Sequence, residues 1–423
     1  MSTADLYLDE KELESIGLTP EHEETIRATL PLVGSKIDEI TPNFYSRMFE
    51  AHPELIADTF NRGNQKQGAQ QRALAASIAT FATMLVDPEA PAPVNLLSRI
   101  GHKHVSLGIT KDQYQIVHDN LFAAIVEVLG EDTVTPDVAA AWDSVYWLMA
   151  DVLTDFEYDL YRSAQVEPGD VFRQTTVVDR KELPGEITHF TVRAAEGSAD
   201  LPGHLPGQYV SVGARLPDGA RQLRQYSLVT GGSGASGELS FAVKRVRGVD
   251  EAPDGEVSNW LADTINAGDA LEVTLPAGDL VLDAQATNPV VLISAGIGVT
   301  PMLGMLDRLA ADSSDRTVVA LHADDSAEVD AFAAARTGYA DGLANGSAIT
   351  WYGAGTPDAG LRGEVREGFM NLGEVDLPEG ASVYICGSNG FLQFIRSQLS
   401  ERGIDAKDVH YELFAPNDWL LDA

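Results

Sequence analysis

The stretch Ser98–Asn120, SRIGHKHVSLGITKDQYQIVHDN, carries three of the nine histidines in the chain. Imidazole is the commonest metal ligand and a proton carrier near neutral pH. A pair one residue apart, His102 and His104, therefore raises the question of which one faces inward. On a helix, His104 shares an apolar stripe with Leu96 or Leu97, Ile100 and Leu107, while His102 turns outward. An inward histidine is more often a satisfied core residue than a ligand. Three more polar groups fall on apolar helical stripes. Tyr45 lies with Ile37 and Met48, Gln70 with Leu74, Ile78 and Phe81, and Glu157 with Tyr146 and Leu153. Each alone fits a helix boundary. Four such groups in one small helical region point to a lined pocket.

A second set of chemical residues lies beyond residue 200. In LRQYSLV a strand would turn Arg224 and Tyr226 to one face and Ser227 to the other. A cation, an aromatic face and a hydroxyl suit a ligand with a diphosphate and a flat ring; an ordinary cross-strand pair is the plainer reading. DGEVSNWL places Gly255 and Ser258 at the start of a short helix, which suits a pyrophosphate or a simple cap. LISAGIGVTPML reads as strand, Gly-rich turn and helix, with Gly296 and Gly298 leaving room for a phosphate and Pro301 in the first turn. Alone this turn is weak, being neither a GxGxxG nor a Walker loop. YICGSNGF is another strand ending in a Gly-rich turn, with Cys386 in it, and HYELFAP puts Glu412 and Phe414 after a last strand. ALHADDSAEVD offers Asp324 and Asp325 with no nearby base, a pattern that favours ribose hydroxyls over a 2′-phosphate and so NADH over NADPH.

The elements that must hold these residues change type twice. Residues 20–165 carry apolar residues at three- and four-residue spacing, with Pro31, Pro53, Pro88 and Pro136 expected at helix ends. Residues 166–285 break into short alternating segments split by Gly, Pro and Asp, expected to form an antiparallel β-barrel. From 286 to 423 buried strands alternate with helices, as in an α/β domain with a parallel sheet. Residues 1–19 read as an acidic N-terminal extension.

Composition narrows the function classes. With 64 acidic against 29 basic residues, the net charge is −35, so nucleic acid is an unfavourable partner. Acid is spread along the whole chain, which suggests a strongly hydrated surface and a halophilic source. No apolar run reaches the roughly 20 residues of a membrane span. One cysteine excludes an internal disulfide and fits a cytoplasmic protein. A monomer is expected.

Together the segments around Arg224, Gly255, Gly296, Cys386 and Glu412 resemble the ferredoxin–NADP reductase family. Adding NFYSRMFEAHPEL, FNRGNQKQGAQQRAL and KHVSLGITKDQYQIV, in this order, the chain as a whole resembles the flavohaemoglobins. That resemblance implies a globin domain, an FAD barrel and an NAD(P) domain, with haem b, FAD and NADH or NADPH as cofactors. It makes His104 the proximal haem-iron ligand, with Tyr114 and Glu157 completing a proximal triad. It makes Tyr45 and Gln70 the distal hydrogen-bonding pair, with Phe60, Leu74 and Lys103 against the haem. It gives FAD contacts to Tyr209, Arg224, Gln225, Tyr226, Ser227, Gly255, Val257 and Ser258. Nucleotide contacts fall to Gly296, Gly298, Thr300, Pro301, Cys386 and Gly387, with Glu412 and Phe414 near the flavin face. The implied activity is nitric oxide dioxygenation: NAD(P)H reduces FAD, FAD reduces the haem iron, and haem-bound O2 oxidises NO to nitrate. The rival readings are a haem-based O2 or NO sensor or store, and a flavin reductase with a non-catalytic helical domain.

Overall fold

The computed structural model describes residues 6–63, 69–232, 237–248, 253–354 and 362–414, without the side chains of 69–73, 75 and 76. The chain divides into two compact units. The first runs to Phe172 and takes in Pro217–Leu223; the second comprises Arg173–Leu216 and Arg224–Ala415.

The first unit is helical: α1 (Glu10–Glu14), α2 (Pro20–Ser35), α3 (Ile37–Ala51), α4 (Pro53–Asp58), α5 (Ala69–Val86), α6 (Val94–Leu107), α7 (Lys111–Leu129) and α8 (Pro136–Ser163). Local signals set several starts. Thr19 caps α2 with Pro20 at its first position, Thr110 and Gln113 form a reciprocal capping box on α7, and Thr135 with Pro136 opens α8. Pro31 departs from the sequence expectation, since it lies inside α2 rather than at its end. Ile26 and Val33 are buried on either side of it, so packing holds the helix through the proline. The core gathers Ile26, Ile40, Phe44, Met48, Phe81, Leu97, Trp142 and Leu153. The acidic N-terminal stretch joins it: Leu13 is in that core and Leu8, Ile16 and Leu18 pack against it. Leu6 is fully buried as well.

The second unit opens with an antiparallel sheet of β1 (Phe172–Leu183), β2 (Ile187–Ala194), β3 (Tyr209–Arg215), β4 (Arg221–Ser227), β5 (Glu238–Lys244) and β6 (Ala270–Thr274). The strand order is β4-β3-β6-β1-β2-β5. Leu228 bridges Phe241 and the Val229 N–H donates to Ser240 O, so the two edge strands meet and the sheet closes into a barrel. Helix α9 (Glu256–Thr264) follows β5.

The rest is an α/β layer: β7 (Val290–Ala295), α10 (Val299–Ala311), β8 (Val318–Asp324), α11 (Ala333–Gly342), β9 (Gly346–Tyr352), β10 (Glu364–Glu367), β11 (Ser382–Gly387), α12 (Asn389–Glu401) and β12 (Val409–Leu413). The order is β10-β9-β8-β7-β11-β12, and every neighbouring pair is parallel. The strand order reverses direction beside β7, where β8 lies on one side and β11 on the other. That switch point opens a crevice at the carboxyl ends of the strands. Among the described residues no helix is long and apolar enough to cross a membrane.

Candidate functional site

Helix α6 presents His104 to two residues from other helices. His104 Nδ1 lies 2.9 Å from the Tyr114 hydroxyl and 2.7 Å from Glu157 Oε1. The Tyr114 hydroxyl donates to the same Oε1 at 2.5 Å. Tyr114 is on α7 and Glu157 on α8, so three helices must be in register for the triad to close. Burial and the neighbouring Glu157 carboxylate push the Tyr114 pKa up, so the phenol keeps its proton and acts as a donor. A carboxylate acceptor fixes the proton on Nδ1 and leaves Nε2 with its lone pair. The Glu157 side chain is 3% exposed, against 31% for His104. The carboxylate is therefore sealed in while the imidazole reaches toward open space.

Tyr45 is buried in an aromatic group, its ring 4.6 Å from Phe44, 5.6 Å from Phe49 and 5.9 Å from Phe60. Tyr45, Tyr114, Phe60 and Leu74 all belong to the one apolar core of the helical unit. Lys103 is half-buried beside His104. The Gln70 side chain lies outside the described residues. An apolar surround and one imidazole Nε2, oriented through Nδ1 by a carboxylate, fit an axial haem ligand.

His102 corrects the sequence reading. It is 2% exposed rather than outward-facing. Its Nε2 is 2.9 Å from Leu6 O, and its ring meets Phe156 edge-on. Helix α6 has a second covered face because the N-terminal residues lie on it, with the Leu8 N–H also donating to Ser98 Oγ at 3.0 Å. Helical phase alone cannot reveal a cover supplied by a distant stretch of chain.

In the second unit, β4 turns Tyr226 onto Phe241 in a stacked pair 5.7 Å apart, while Gln225 Nε2 donates to Ser211 Oγ at 2.8 Å. Arg224 and Tyr226 are half-buried and Ser227 is buried, so cation and ring border the barrel surface. Tyr209 is buried at the start of β3. Gly255 starts α9, and a Cβ there would come within 2.7 Å of Val246. Ser258 Oγ accepts from the Val246 N–H at 3.1 Å, so this hydroxyl holds the loop, and Val257 is buried behind it. Backbone N–H groups in the first turn of α9 are then the natural anion donors here.

At the switch point the two Gly-rich turns touch. A Cβ on Gly298 would stand 2.4 Å from Cys386 O and 2.8 Å from Gly387 N. Gly296 has φ +51° and open space where a Cβ would go. Thr300 is buried with its hydroxyl donating to Ile297 O at 2.9 Å, and Pro301 lies in the first turn of α10. Ser388 caps α12 by accepting from Phe391 N–H. Cys386 is fully buried in the core, and burial with Glu412 nearby pushes its thiol well up. Only its backbone can border a ligand. Glu412 is buried, and Phe414 is 47% exposed after β12. Asp324 turns inward and Asp325 is exposed, so Asp325 is the carboxylate available to a ribose. Sequence reading missed a buried polar group around His322, Asp330 and Arg336; the signal was a histidine and an arginine within otherwise apolar segments.

Residues 42–153 match the Globin family and residues 292–397 the Oxidoreductase NAD-binding domain family. A flavohemoprotein of Bordetella parapertussis is 39% identical over 94% of this chain and 98% of its own length. One from Halalkalibacterium halodurans is 36% identical over 96% and 99%. Among solved structures, a flavohemoglobin from Malassezia yamatoensis with bound FAD and heme superposes with TM-score 0.84 at 34% identity, covering 94% of this chain and all of that one. The FAD/NAD binding domain of a nitric oxide dioxygenase from Vibrio cholerae covers 58% of this chain and 99% of its own, with TM-score 0.52 and 33% identity.

Proposed function

The chain belongs to the flavohaemoprotein family and is an NAD(P)H-dependent oxidoreductase, and from that premise we propose that it is a nitric oxide dioxygenase, converting NO and O2 to nitrate. The observation that carries this reading is the closed His104–Tyr114–Glu157 triad in a chain that also holds a reductase unit. In this reading residues 20–165 bind haem b, 166–285 bind FAD and 286–423 bind the nicotinamide nucleotide. Haem supplies a redox iron that binds O2, and FAD converts two-electron hydride chemistry into single-electron delivery.

The residues of the chain do the positioning. Glu157 accepts a hydrogen bond from His104 Nδ1–H, which fixes the ring plane and makes Nε2 a stronger donor to a metal. A stronger donor nitrogen would favour oxygen activation over simple storage. Tyr114 donates to Glu157 Oε1 and holds that side chain in place. Tyr45, with Gln70, would donate a hydrogen bond to the diatomic substrate, with the rings of Phe49 and Phe60 as apolar neighbours. Tyr226 and Arg224 would hold the flavin ring and diphosphate, and Gly296 would admit the nucleotide diphosphate to the backbone. Asp325 favours the ribose hydroxyls of NADH.

The test is nitrate yield. Protein carrying haem and FAD, reduced with NADH and mixed with O2 and then NO, is expected to form nitrate in step with NADH consumed. Ferricyanide reduction without nitrate would mean a flavin reductase with an inert helical unit. Stable gas binding without turnover would mean a sensor or store.

A further inference from the structure

The buried polar group beside β8 lies outside both the haem and flavin residues named above. His322, on β8, is 1% exposed, and its Nε2 has no hydrogen-bond partner. That nitrogen faces two carboxylates, Asp324 Oδ2 at 3.6 Å and Asp330 Oδ1 at 3.9 Å. The three ligand atoms lie within 4.8 Å of one another. We propose that His322, Asp324 and Asp330 form a binding site for a divalent transition cation of the zinc class.

The donor and acceptor directions argue for it. His322 Nδ1 is 2.8 Å from Ser294 Oγ, and that hydroxyl donates onward to Leu321 O at 3.4 Å. With its proton on Nδ1 and donated to Ser294 Oγ, the neutral ring presents Nε2 as a bare acceptor, the state that a cation at Nε2 requires. Asp324 Oδ1 already accepts from the Asp325 N–H at 2.8 Å. Asp330 Oδ2 accepts from Arg336 at 2.9 Å and from the Tyr352 hydroxyl at 3.0 Å. Arg336 Nη1 also reaches Asp330 Oδ1, at 3.2 Å, leaving that oxygen a further lone pair. Asp324 thus ties one oxygen to the protein and aims the other at His322, while Asp330 Oδ1 faces the same nitrogen and also accepts from Arg336. With Nε2 unprotonated, His322 and Asp324 meet as two acceptors, and a cation between them supplies the positive partner.

The spacing argues the same way. Separations of 3.6 and 3.9 Å are too long for direct hydrogen bonds. A tetrahedral zinc with bonds of about 2.0–2.2 Å holds its ligands about 3.3–3.6 Å apart, so the His322–Asp324 separation already matches and Asp330 would draw in by a few tenths of an ångström. The imidazole oriented by Ser294 and the carboxylates braced by Arg336, Tyr352 and backbone supply the outer partners that metal ligands ordinarily have. One histidine with two carboxylates suits zinc, and Arg336 tempers the negative charge without cancelling it. The cation would fasten the end of β8 to the segment leading into α11, next to the exposed Asp325.

The full-length protein, stripped with EDTA and dialysed against zinc chloride in molar-range salt to screen its acidic surface, supplies the test. Wild type is expected to retain about one more zinc per chain than His322→Gln or Asp324→Asn, whose affinity at this site falls at least tenfold. Equal zinc in all three would overturn the site. Should the variants fail to fold, zinc-edge anomalous diffraction from wild-type crystals decides. A peak among His322, Asp324 and Asp330 sustains the proposal. Peaks confined to other groups, such as His118 between Asp119 and Asp143, overturn it.

Discussion

The helical unit and the reductase unit build their sites from different materials. In the helical unit, side chains from α6, α7 and α8 meet at 2.5–2.9 Å, and the chemistry rests on which atom holds a proton. In the α/β part of the second unit, the candidate nucleotide site is mostly backbone: two turns brought together, with glycine where any side chain would intrude. A side-chain site can lose one function and keep its shape. A backbone site has no atoms to spare, so small additions damage it more than deletions do. The comparison teaches where each unit is fragile.

The largest effect should come from His104→Ala. It is expected to abolish the haem Soret band and NO consumption while NADH-driven ferricyanide reduction continues near the wild-type rate. Retained haem absorbance and NO turnover would remove the contrast between the units. Next is Glu157→Gln, which keeps the shape of the triad and removes the charge. NO turnover is expected to fall about 10- to 100-fold, the usual effect of losing an outer partner of a metal ligand. Because the amide fills the same space as the carboxylate, thermal stability should change little, and the haem reduction potential should rise. An unchanged potential would mean that Glu157 does not act through His104.

The smaller test separates two glycines. Gly298→Ala pushes a Cβ into Cys386 O, a backbone atom that cannot rotate away, and should destabilise the second unit by about 1–3 kcal/mol. Gly296→Ala has space but a left-handed backbone, and should cost about 1 kcal/mol. Urea melts followed by flavin fluorescence would rank them. The reverse order would mean that the two turns do not abut as described.

Much of the site was readable from residues alone. His104 fell on an apolar stripe and Glu157 on another, and the fold brings the two side chains to 2.7 Å. The strand–turn–helix pattern around Gly296 and the largely apolar β7 announced a buried parallel strand. Other parts were hidden. Pro31 looked like a helix end because its local effect is to break helices, and only the burial of Ile26 and Val33 reveals that tertiary packing prevails. His322 and Asp330 are eight residues apart, and nothing in that spacing says that a loop folds Asp330 back toward β8.

The sequence by itself determined the order of a helical region, a barrel and an α/β domain, because hydrophobic period and turn chemistry are local properties. It also determined the family, through motifs that keep their order along the chain. Tertiary structure decided which face of each element is covered. Helical phase divides α6 into sides, but only the N-terminal stretch lying across it makes His102 a buried residue, with Leu6 O as its partner. Only the approach of α7 and α8 brings one carboxylate oxygen within reach of both the His104 ring and the Tyr114 hydroxyl. Burial and hydrogen bonding between distant segments depend on where the rest of the chain comes to rest, and no window of sequence contains that.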